Sequence, residues 1–475
     1  MNQLRRSNEI CLEIQDHSIE RHSAVKFFGV DGMRDPSGLA ARLSEQFISQ
    51  NRALASGLDV QISQEYDGRD VYLTLQSGDS VGAIPLCSPT TARPDYGLVV
   101  QPRFAWSGIG PMLAEMGWRI APTPLALPLL RRSERRVPVW VLSYMILSRL
   151  DALLDSLDRR FEEAREDLHA PRGRVDWTAY ATRSLSRANP LSVPCSFPDL
   201  RDDRLLKGAV RYAAERQLRA LETQKEHGAF VHRLIEFGER ILRRVIMVPP
   251  AMPSAAMLGG WLQRPMRTAP FTDGLQAIEW TVDERGLAGV SDLAGIPWKM
   301  RMDQFFEAWV ETVIRVVAQR TGGRVATGRN RETVVPLRWD PPHQATQTSL
   351  IPDLWVEWES TTLIVDAKYK RHWEELQQHS WAQSAESIKD AHRADIHQVL
   401  AYASLSKTPK VVACLAYPCL LKNWLSLKER ERLFQKADLA VGSKTLQLWL
   451  TALPMAASTN EIAEPLEKQL RLAIQ

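Results

Sequence analysis

The residues with the clearest chemical potential lie in one short stretch, IPDLWVEWESTTLIVDAKYK, at positions 351–370. Its apolar and polar residues alternate on either side of Glu359 and Ser360, which predicts two antiparallel strands joined by a tight turn. With the turn centred between those two residues, Asp353 lies directly opposite Asp366. The sequence therefore predicts that this hairpin brings two carboxylates together.

Two opposed carboxylates predict a site for a divalent cation. Side chains that face each other across antiparallel strands have Cβ atoms roughly 4.5 to 5.5 Å apart, a separation that one cation can bridge through oxygen atoms. Alternation places Asp353, Asp366 and Lys368 on one face, whereas the other face is apolar. Mg²⁺, or Mn²⁺ in its place, can orient a water for attack on a phosphodiester, and the ammonium of Lys368 can position that water. The pattern favours a phosphodiester hydrolase over a surface hairpin that is merely solvated.

Flanking helices offer further candidates. Glu307, in the string FFEAWV, is predicted to lie on a helix before the strands, as a further carboxylate or as a solvated glutamate. Gln398 and Tyr402 are four residues apart on a helix after the lysine, so both can reach the same phosphate. The histidines and cysteines show no metal-ligand spacing, and five scattered cysteines argue against a disulfide framework.

The elements around the hairpin follow a definite order. Asp303 is predicted to cap a helix, which is followed by strand-like pieces at 323–327 and 333–339 and then by the hairpin. A second helix is predicted at 382–405, and the apolar run at 410–417 suits a buried strand. The predicted fold class is α/β (α+β multidomain), with a helix, three strands, a helix and a strand near its C-terminal end.

Composition shifts divide the chain into five predicted regions. They are an unassigned N-terminal extension at 1–57, a strand-rich module at 58–135, a helical middle domain at 136–250, a linker and lead-in at 251–300, and a C-terminal domain at 301–475. Within the helical domain, the charge run at 158–167 is interpreted as a solvated helix face.

Composition also limits the function classes. The formal charge is only +4, from 60 basic and 56 acidic residues, so any nucleic-acid affinity must come from local basic surfaces. The chain lacks a GxxxxGK[ST] loop, so it is not expected to hydrolyse nucleotide on its own. We find neither a signal peptide nor a membrane-length apolar run, which predicts a soluble, cytoplasmic protein with no membrane association.

Pro352-Asp353 followed by Asp366-Ala367-Lys368 resembles the PD-(D/E)xK nuclease signature, in the αβββαβ order typical of that core. The strings DAKYK and DIHQVLAYA are similar to those of McrC, the nuclease subunit of McrBC modification-dependent restriction systems. The upstream strings YGLVVQPRFAWSGIG and PRGRVDW extend this resemblance.

The resemblance implies a metal-dependent DNA endonuclease subunit of a restriction or phage-defence complex, with a PD-(D/E)xK core preceded by a helical domain and a strand-rich module. The implied partner is a McrB-like AAA+ GTPase hexamer, contacted through the strand-rich module. The implied site residues are Asp353, Asp366, Lys368, Glu307 and Gln398 in catalysis, Asp353, Asp366, Ala367 and Glu307 in metal binding, and Tyr402 and Lys370 as candidate DNA contacts.

Two alternatives remain open at this point. One is a non-catalytic regulator of an AAA+ partner, in which the nuclease fold serves only as a scaffold. The other is a nuclease of a different defence or repair system, which keeps the chemistry and changes the partner.

Overall fold

The structure is a computed structural model. It describes residues 11–104, 106–117, 119–120, 122–125, 139–157, 160–201, 203–225, 228–263, 268–283, 286–287, 295–341, 346–370, 386–441 and 444–474. Helices and several sheets form a mixed α/β protein, as predicted. The chain divides into two compact units. The first contains Met1–Pro138 and Gly286–Gln475, and the second contains Val139–Arg285. None of the helices described is long and apolar enough to span a membrane.

The N-terminal part of the first unit is rich in strands. Its elements are β1 (Cys11–Gln15), β2 (Ile19–Ser23), α1 (Ala24–Phe27), α2 (Pro36–Gly57), β3 (Val60–Asp67), β4 (Asp70–Ser77), β5 (Ser80–Leu86), β6 (Tyr96–Gln101), α3 (Trp106–Glu115) and β7 (Thr123–Pro124). β1 pairs with β6 in parallel, and β2 pairs with β4. Residues 11–57 are therefore part of the strand-rich module and not a separate extension. Residues 1–10 and 126–138 lie outside the described residues.

The second unit combines helices with a small antiparallel sheet. Its elements are α4 (Val139–Ser156), β8 (Arg160–Leu168), β9 (Arg174–Val175), α5 (Trp177–Ala179), β10 (Val193–Arg201), α6 (Arg204–Glu222), α7 (Ala229–Arg244), α8 (Ala255–Leu262) and α9 (Ala269–Val282). Two predictions are wrong here. Residues 160–167 of the charge run lie in strand β8, because β10 supplies the ladder of hydrogen bonds, and residues 158 and 159 lie outside the described residues. The expected linker contains α8 and α9, and Gly274 of α9 packs so closely on α4 that a Cβ there would lie 2.4 Å from Leu153 Cβ.

The remainder of the first unit begins near residue 286. Its elements are β11 (Gly286–Leu287), β12 (Gly295–Ile296), β13 (Trp298–Arg301), α10 (Met302–Thr321), β14 (Arg324–Thr327), β15 (Val335–Pro336), β16 (Ser349–Leu350), β17 (Leu354–Glu357), β18 (Thr361–Ala367), α11 (Glu386–Ser404), β19 (Lys410–Cys419), α12 (Leu421–Glu429), β20 (Phe434–Val441), β21 (Lys444–Pro454) and α13 (Thr459–Ile474). Six strands form one sheet in the order β14-β17-β18-β19-β21-β20. β13 instead joins the N-terminal sheet by pairing with β5.

Helix α10 packs its apolar residues against the sheet, and Trp309 Nε1 donates to the carbonyl of Pro454 at 3.1 Å. The predicted N-cap, Asp303, is wrong by two residues. Arg301 occupies the N-cap position, and Asp303 lies in the first turn, where it accepts a hydrogen bond from Arg301 Nε. An acidic residue in the first turn stabilises the helix through its dipole.

The hairpin has the predicted register. β17 and β18 are antiparallel, and Leu354 lies opposite Val365, so the next pair outward is Asp353 and Asp366. The expectation of a single buried face is wrong, because every residue from Thr361 to Asp366 is buried. β18 is a central strand that contacts α10 and α11 as well as its neighbours β17 and β19. The first residues of the predicted second helix, 382–385, lie outside the described residues.

Candidate active site

Backbone hydrogen bonds hold Asp353 in place, and Asp366 is confined by burial. Asp353 Oδ2 accepts a hydrogen bond from the backbone N–H of Ala367 at 2.8 Å, and the carbonyl of Asp353 accepts one from Gly328 N at 2.8 Å. Any larger residue at position 328 would force the backbone to move, because its Cβ would lie 2.7 Å from the carbonyl oxygen of Pro352. Asp366 is almost completely buried, at 1% exposure. The hairpin and this loop thus fix the carboxyl group of Asp353 beside the buried Asp366.

The carboxyl pair is electrostatically unfavourable without a cation. Burial raises the pKa of Asp353 well above its usual range, and the charges of Asp366 and Glu307 raise it further. Burial also raises the pKa of Asp366, although the ammonium of Lys368 opposes that effect. A pair of buried carboxyls with raised pKa values is typical of a functional site rather than of a structural contact.

Lys368 connects this pair to helix α11. Its Nζ lies 2.7 Å from Asp366 Oδ2 and donates to Gln398 Oε1 at 2.9 Å. Gln398 Nε2 in turn donates to the hydroxyl of Tyr402 at 2.8 Å. Burial lowers the pKa of Lys368, but the charges of Asp366 and Asp353 outweigh it, so the pKa is raised and the ammonium stays protonated at neutral pH.

The residues present fit a magnesium ion. Asp366 Oδ2 is buried and, despite the nearby ammonium, has no partner with hydrogen-bond geometry among the described residues. Mg²⁺ typically binds one or two carboxylates and completes its shell with water and substrate phosphate. Asp353 and Asp366 supply two carboxylates, whereas the carbonyl of Ala367 stays a predicted ligand. Within the described ranges, no three His, Cys, Asp or Glu side chains form a metal-binding group, so Glu307 stays a predicted ligand.

Glu307 and Asp353 line a cavity of about 380 Å³. Its walls are formed by Ile120, Gln304, Glu307, Gly328, Arg329, Ile351 and Asp353. Burial raises the pKa of Glu307, the guanidinium of Arg329 opposes this, and the charges of Glu311 and Asp366 add to it. The cavity therefore opens beside Asp353, one member of the carboxyl pair.

Arg329 was not predicted as a site residue. Its guanidinium donates to Glu311, which is 3% exposed and also binds Arg119 at 2.6 Å and Arg315 at 2.8 Å. Burial raises the pKa of Glu311, but these three arginines outweigh it and lower the pKa. Glu311 follows Glu307 by one helical turn, and the basic string GRNRE contains Arg329. These two features are the sequence signals that could have indicated an ion pair between Glu311 and Arg329.

Lys370 occupies a different environment from Lys368. Its Nζ donates to Asp395 Oδ1 at 2.7 Å, and the hydroxyl of Tyr417 donates to Asp395 Oδ2 at 3.2 Å. Asp395 is 3% exposed, whereas the Lys370 side chain is 34% exposed, so the ion pair joins a buried carboxylate to a partly exposed lysine. DNA contact by Lys370 stays a prediction, and such contact would compete with the ion pair. Tyr402, at 5% exposure, is placed to orient Gln398.

Comparison with known proteins bears on this same region. The family model described as the McrBC 5-methylcytosine restriction system component matches residues 297–418. The resemblance to the McrBC family is confirmed for this region. The McrBC match extends from β13 into β19 and includes every residue predicted for the site.

Two solved structures of McrBC assemblies resemble the chain weakly. A chain of the Thermococcus gammatolerans half-complex, from a tetradecameric assembly of McrB AAA+ hexamers with bound McrC, shares 14% identity with a TM-score of 0.40. That alignment covers 97% of this chain and 99% of the other. A chain of the Thermococcus gammatolerans McrBC complex shares 12% identity with a TM-score of 0.27, covering 65% of this chain and 88% of the other. No curated protein matches.

Proposed function

We propose that this chain is an McrC-like, Mg²⁺-dependent DNA endonuclease subunit with a PD-(D/E)xK core. The observation that carries the proposal is the buried pair Asp353 and Asp366 with Lys368 on the same hairpin, inside the region that matches the McrBC family. The order α10, β14, β17, β18, α11 and β19 supports the nuclease core. Mn²⁺ is expected to substitute for Mg²⁺ because both accept carboxylate oxygens.

In this proposal, Asp353 and Asp366 hold the metal ion, with Glu307 as a further carboxylate near the same cavity. When bound, the ion lowers the pKa of a water and neutralises charge on the phosphate. Lys368 is protonated, so it acts by stabilising the negative charge that develops on the phosphate and not by removing a proton. Gln398 fixes the direction of that ammonium, and Tyr402 fixes Gln398.

The proposed partners are DNA and a McrB-like AAA+ GTPase hexamer. The family model describes a component of a multi-part system, and this chain carries no phosphate-binding loop of its own. Nucleotide hydrolysis is therefore assigned to the partner and phosphodiester hydrolysis to this chain.

The deciding experiment measures cleavage by the purified chain with a McrB-like partner, GTP and Mg²⁺ on plasmids with and without 5-methylcytosine. We expect Mg²⁺- or Mn²⁺-dependent cutting that Asp366→Ala abolishes. Equal cutting by the Asp366→Ala protein would refute the proposal. Stimulation of the partner's GTP hydrolysis without cleavage in any metal would instead support the non-catalytic regulator.

Arg329 gives a prediction about DNA affinity. Its guanidinium is the positively charged group among the described residues that line the cavity beside Glu307 and Asp353. We expect Arg329→Ala to raise KM for DNA roughly tenfold, the effect of losing a charged hydrogen bond of about 1.5 kcal/mol, with kcat changed much less. The slope of log binding constant against log salt concentration should become shallower by about one, because one fewer counterion is released.

Arg324 is the matched control for this prediction. It lies on the adjacent strand β14, its side chain is 86% exposed, and it pairs with Glu357. Arg324→Ala should leave KM and the salt slope unchanged. If both arginine variants raise KM equally, a general loss of positive charge explains the effect and the cavity does not.

A further inference from the structure

The chain turns sharply directly after the candidate catalytic lysine. β18 ends at Ala367, Lys368 N donates to the carbonyl of Ala416 at 2.9 Å, and Lys370 N donates to the carbonyl of Lys368 at 2.9 Å. Tyr369 lies between the two lysines and is 3% exposed. Because Tyr369 is the residue next to Lys368 and is buried, its contacts bear on how this turn presents Lys368.

Those contacts come from the N-terminal sheet. The hydroxyl of Tyr369 donates to Asp16 Oδ2 at 2.6 Å, and Asp16 is completely buried. The backbone N–H of Arg103 donates to Asp16 Oδ1, and the guanidinium of Arg103 stacks 4.4 Å from the centre of the Tyr369 ring. A hydrogen bond at one end and a cation over the face together fix both the position and the tilt of the ring.

Asp16 and Arg103 follow the ends of two paired strands. β1 ends at Gln15 and β6 ends at Gln101, and Asp16 N donates to the carbonyl of Gln101 at 2.9 Å. Any shift of this sheet edge would carry both contacts with it. Asp16 and Arg103 thus contact Tyr369 from one hydrogen-bonded pair of strand ends.

The charge state of the contact is fixed as well. Burial raises the pKa of the Tyr369 hydroxyl well above its usual range, and the charge of Asp16 raises it further. The hydroxyl is the donor in the hydrogen bond to Asp16. The guanidinium of Arg103 also lies 3.8 Å from Asp16 Oδ2, which balances the buried carboxylate.

We propose that Asp16 and Arg103 act through Tyr369 as positioning residues for Lys368, so that the edge formed by β1 and β6 sets the geometry of the cleavage site. The inference rests on the proposed nuclease function for its catalytic consequence. Displacement of a catalytic group by about 1 Å can lower a rate by roughly 10²-fold, so a support of this kind affects turnover more than substrate binding.

Tyr369→Phe tests the inference, because it removes the hydroxyl and keeps the ring. We expect kcat for DNA cleavage to fall roughly tenfold, with KM within about twofold of wild type and the partner's GTP hydrolysis unchanged. Asp16→Asn should also lower kcat. In the double variant the two losses should not add, because both act through one contact.

Tyr144→Phe is the matched control for losing a buried tyrosine hydroxyl. Tyr144 is 8% exposed, lies on α4 in the other unit and hydrogen-bonds to Ser148. It should leave kcat unchanged. Equal kcat for wild type and Tyr369→Phe, or additive losses in the double variant, would overturn the inference.

Hydrogen exchange gives a readout that does not need cleavage. Amides of residues 366–370 should exchange faster in Tyr369→Phe and Asp16→Asn than in wild type or Tyr144→Phe. Unchanged protection would overturn the positioning role even in an active enzyme. If the wild-type protein does not cut DNA, the proposed function fails, and exchange at this turn still decides whether Tyr369 supports it.

Discussion

Lys368→Ala is expected to lower kcat for DNA cleavage roughly 10³-fold, the size of effect seen when a preorganised charge-stabilising donor is removed. The ammonium lies 2.7 Å from Asp366 and donates to Gln398, whereas the ammonium of Lys370 is paired with Asp395. Binding of DNA and stimulation of the partner's GTP hydrolysis should remain close to wild type. The measurement is single-turnover cleavage with saturating partner, GTP and Mg²⁺.

Lys389 provides the control. Its side chain has the same 16% exposure as that of Lys368, and it pairs with Glu386 on α11, away from the carboxyl pair. Lys389→Ala should cut DNA at the wild-type rate. Retention of more than a tenth of the wild-type rate by Lys368→Ala would exclude the lysine from the role proposed for it.

The second large effect is expected for Asp353→Asn, which should abolish cleavage and yet stabilise the metal-free protein. Asn keeps an acceptor for the N–H of Ala367 but removes a charge facing Asp366. We expect the free energy of unfolding in EDTA at neutral pH to rise by about 1 to 3 kcal/mol, the scale of relief of a like-charge contact in a partly buried site. Added Mg²⁺ should raise the unfolding midpoint of the wild type only.

The sign of the pH dependence follows from the raised pKa of Asp353. The folded protein holds this proton more tightly than the unfolded chain does, so this carboxyl favours the folded state at low pH and progressively less as pH rises. The loss begins near the unfolded value of about 3.9 and is complete above the folded pKa. The stability advantage of Asp353→Asn over wild type should therefore grow with pH across that window and then level off.

Asp438→Asn is a suitable control for the stability measurement. Asp438 lies on β20 of the same sheet and is exposed, and it accepts a hydrogen bond from Gln447 Nε2 at 2.8 Å. Its replacement should neither stabilise the metal-free protein nor change the effect of Mg²⁺. A less stable Asp353→Asn protein in EDTA would show that the carboxyl pair is not under strain.

Both predictions have the same electrostatic origin. The site places two carboxyls and one ammonium in a buried hairpin, where each charge is worth more than it would be in water. Without a cation, Lys368 provides partial neutralisation through Asp366, and the raised pKa of Asp353 reflects what is left uncompensated. We therefore expect a divalent ion to stabilise this site, so that the unfolding midpoint with and without Mg²⁺ measures metal binding.

Errors in the sequence predictions had physical causes that can be named. The charge run became β8 because strand pairing with β10 outweighs helical periodicity, and the partner strand begins at Val193, far along the chain. The linker became α8 and α9 because three prolines before Ala255 and the pair Gly259 and Gly260 within α8 obscured the helical pattern. The packing of α9 on α4 could not be seen from that stretch. The last two strands of the main sheet were not predicted. β20 pairs with β21, and β21 also pairs with β19.

Local pattern was sufficient for the hairpin, its register and the facing pair Asp353 and Asp366, because strand alternation and a tight turn are properties of adjacent residues. It also placed Gln398 and Tyr402 on one helix face. Only the tertiary structure revealed Arg329 in the cavity and the contact between Tyr369 and Asp16, residues 353 positions apart in the chain. Contacts of that separation depend on how whole sheets pack, and they leave no periodic trace in the segments that make them.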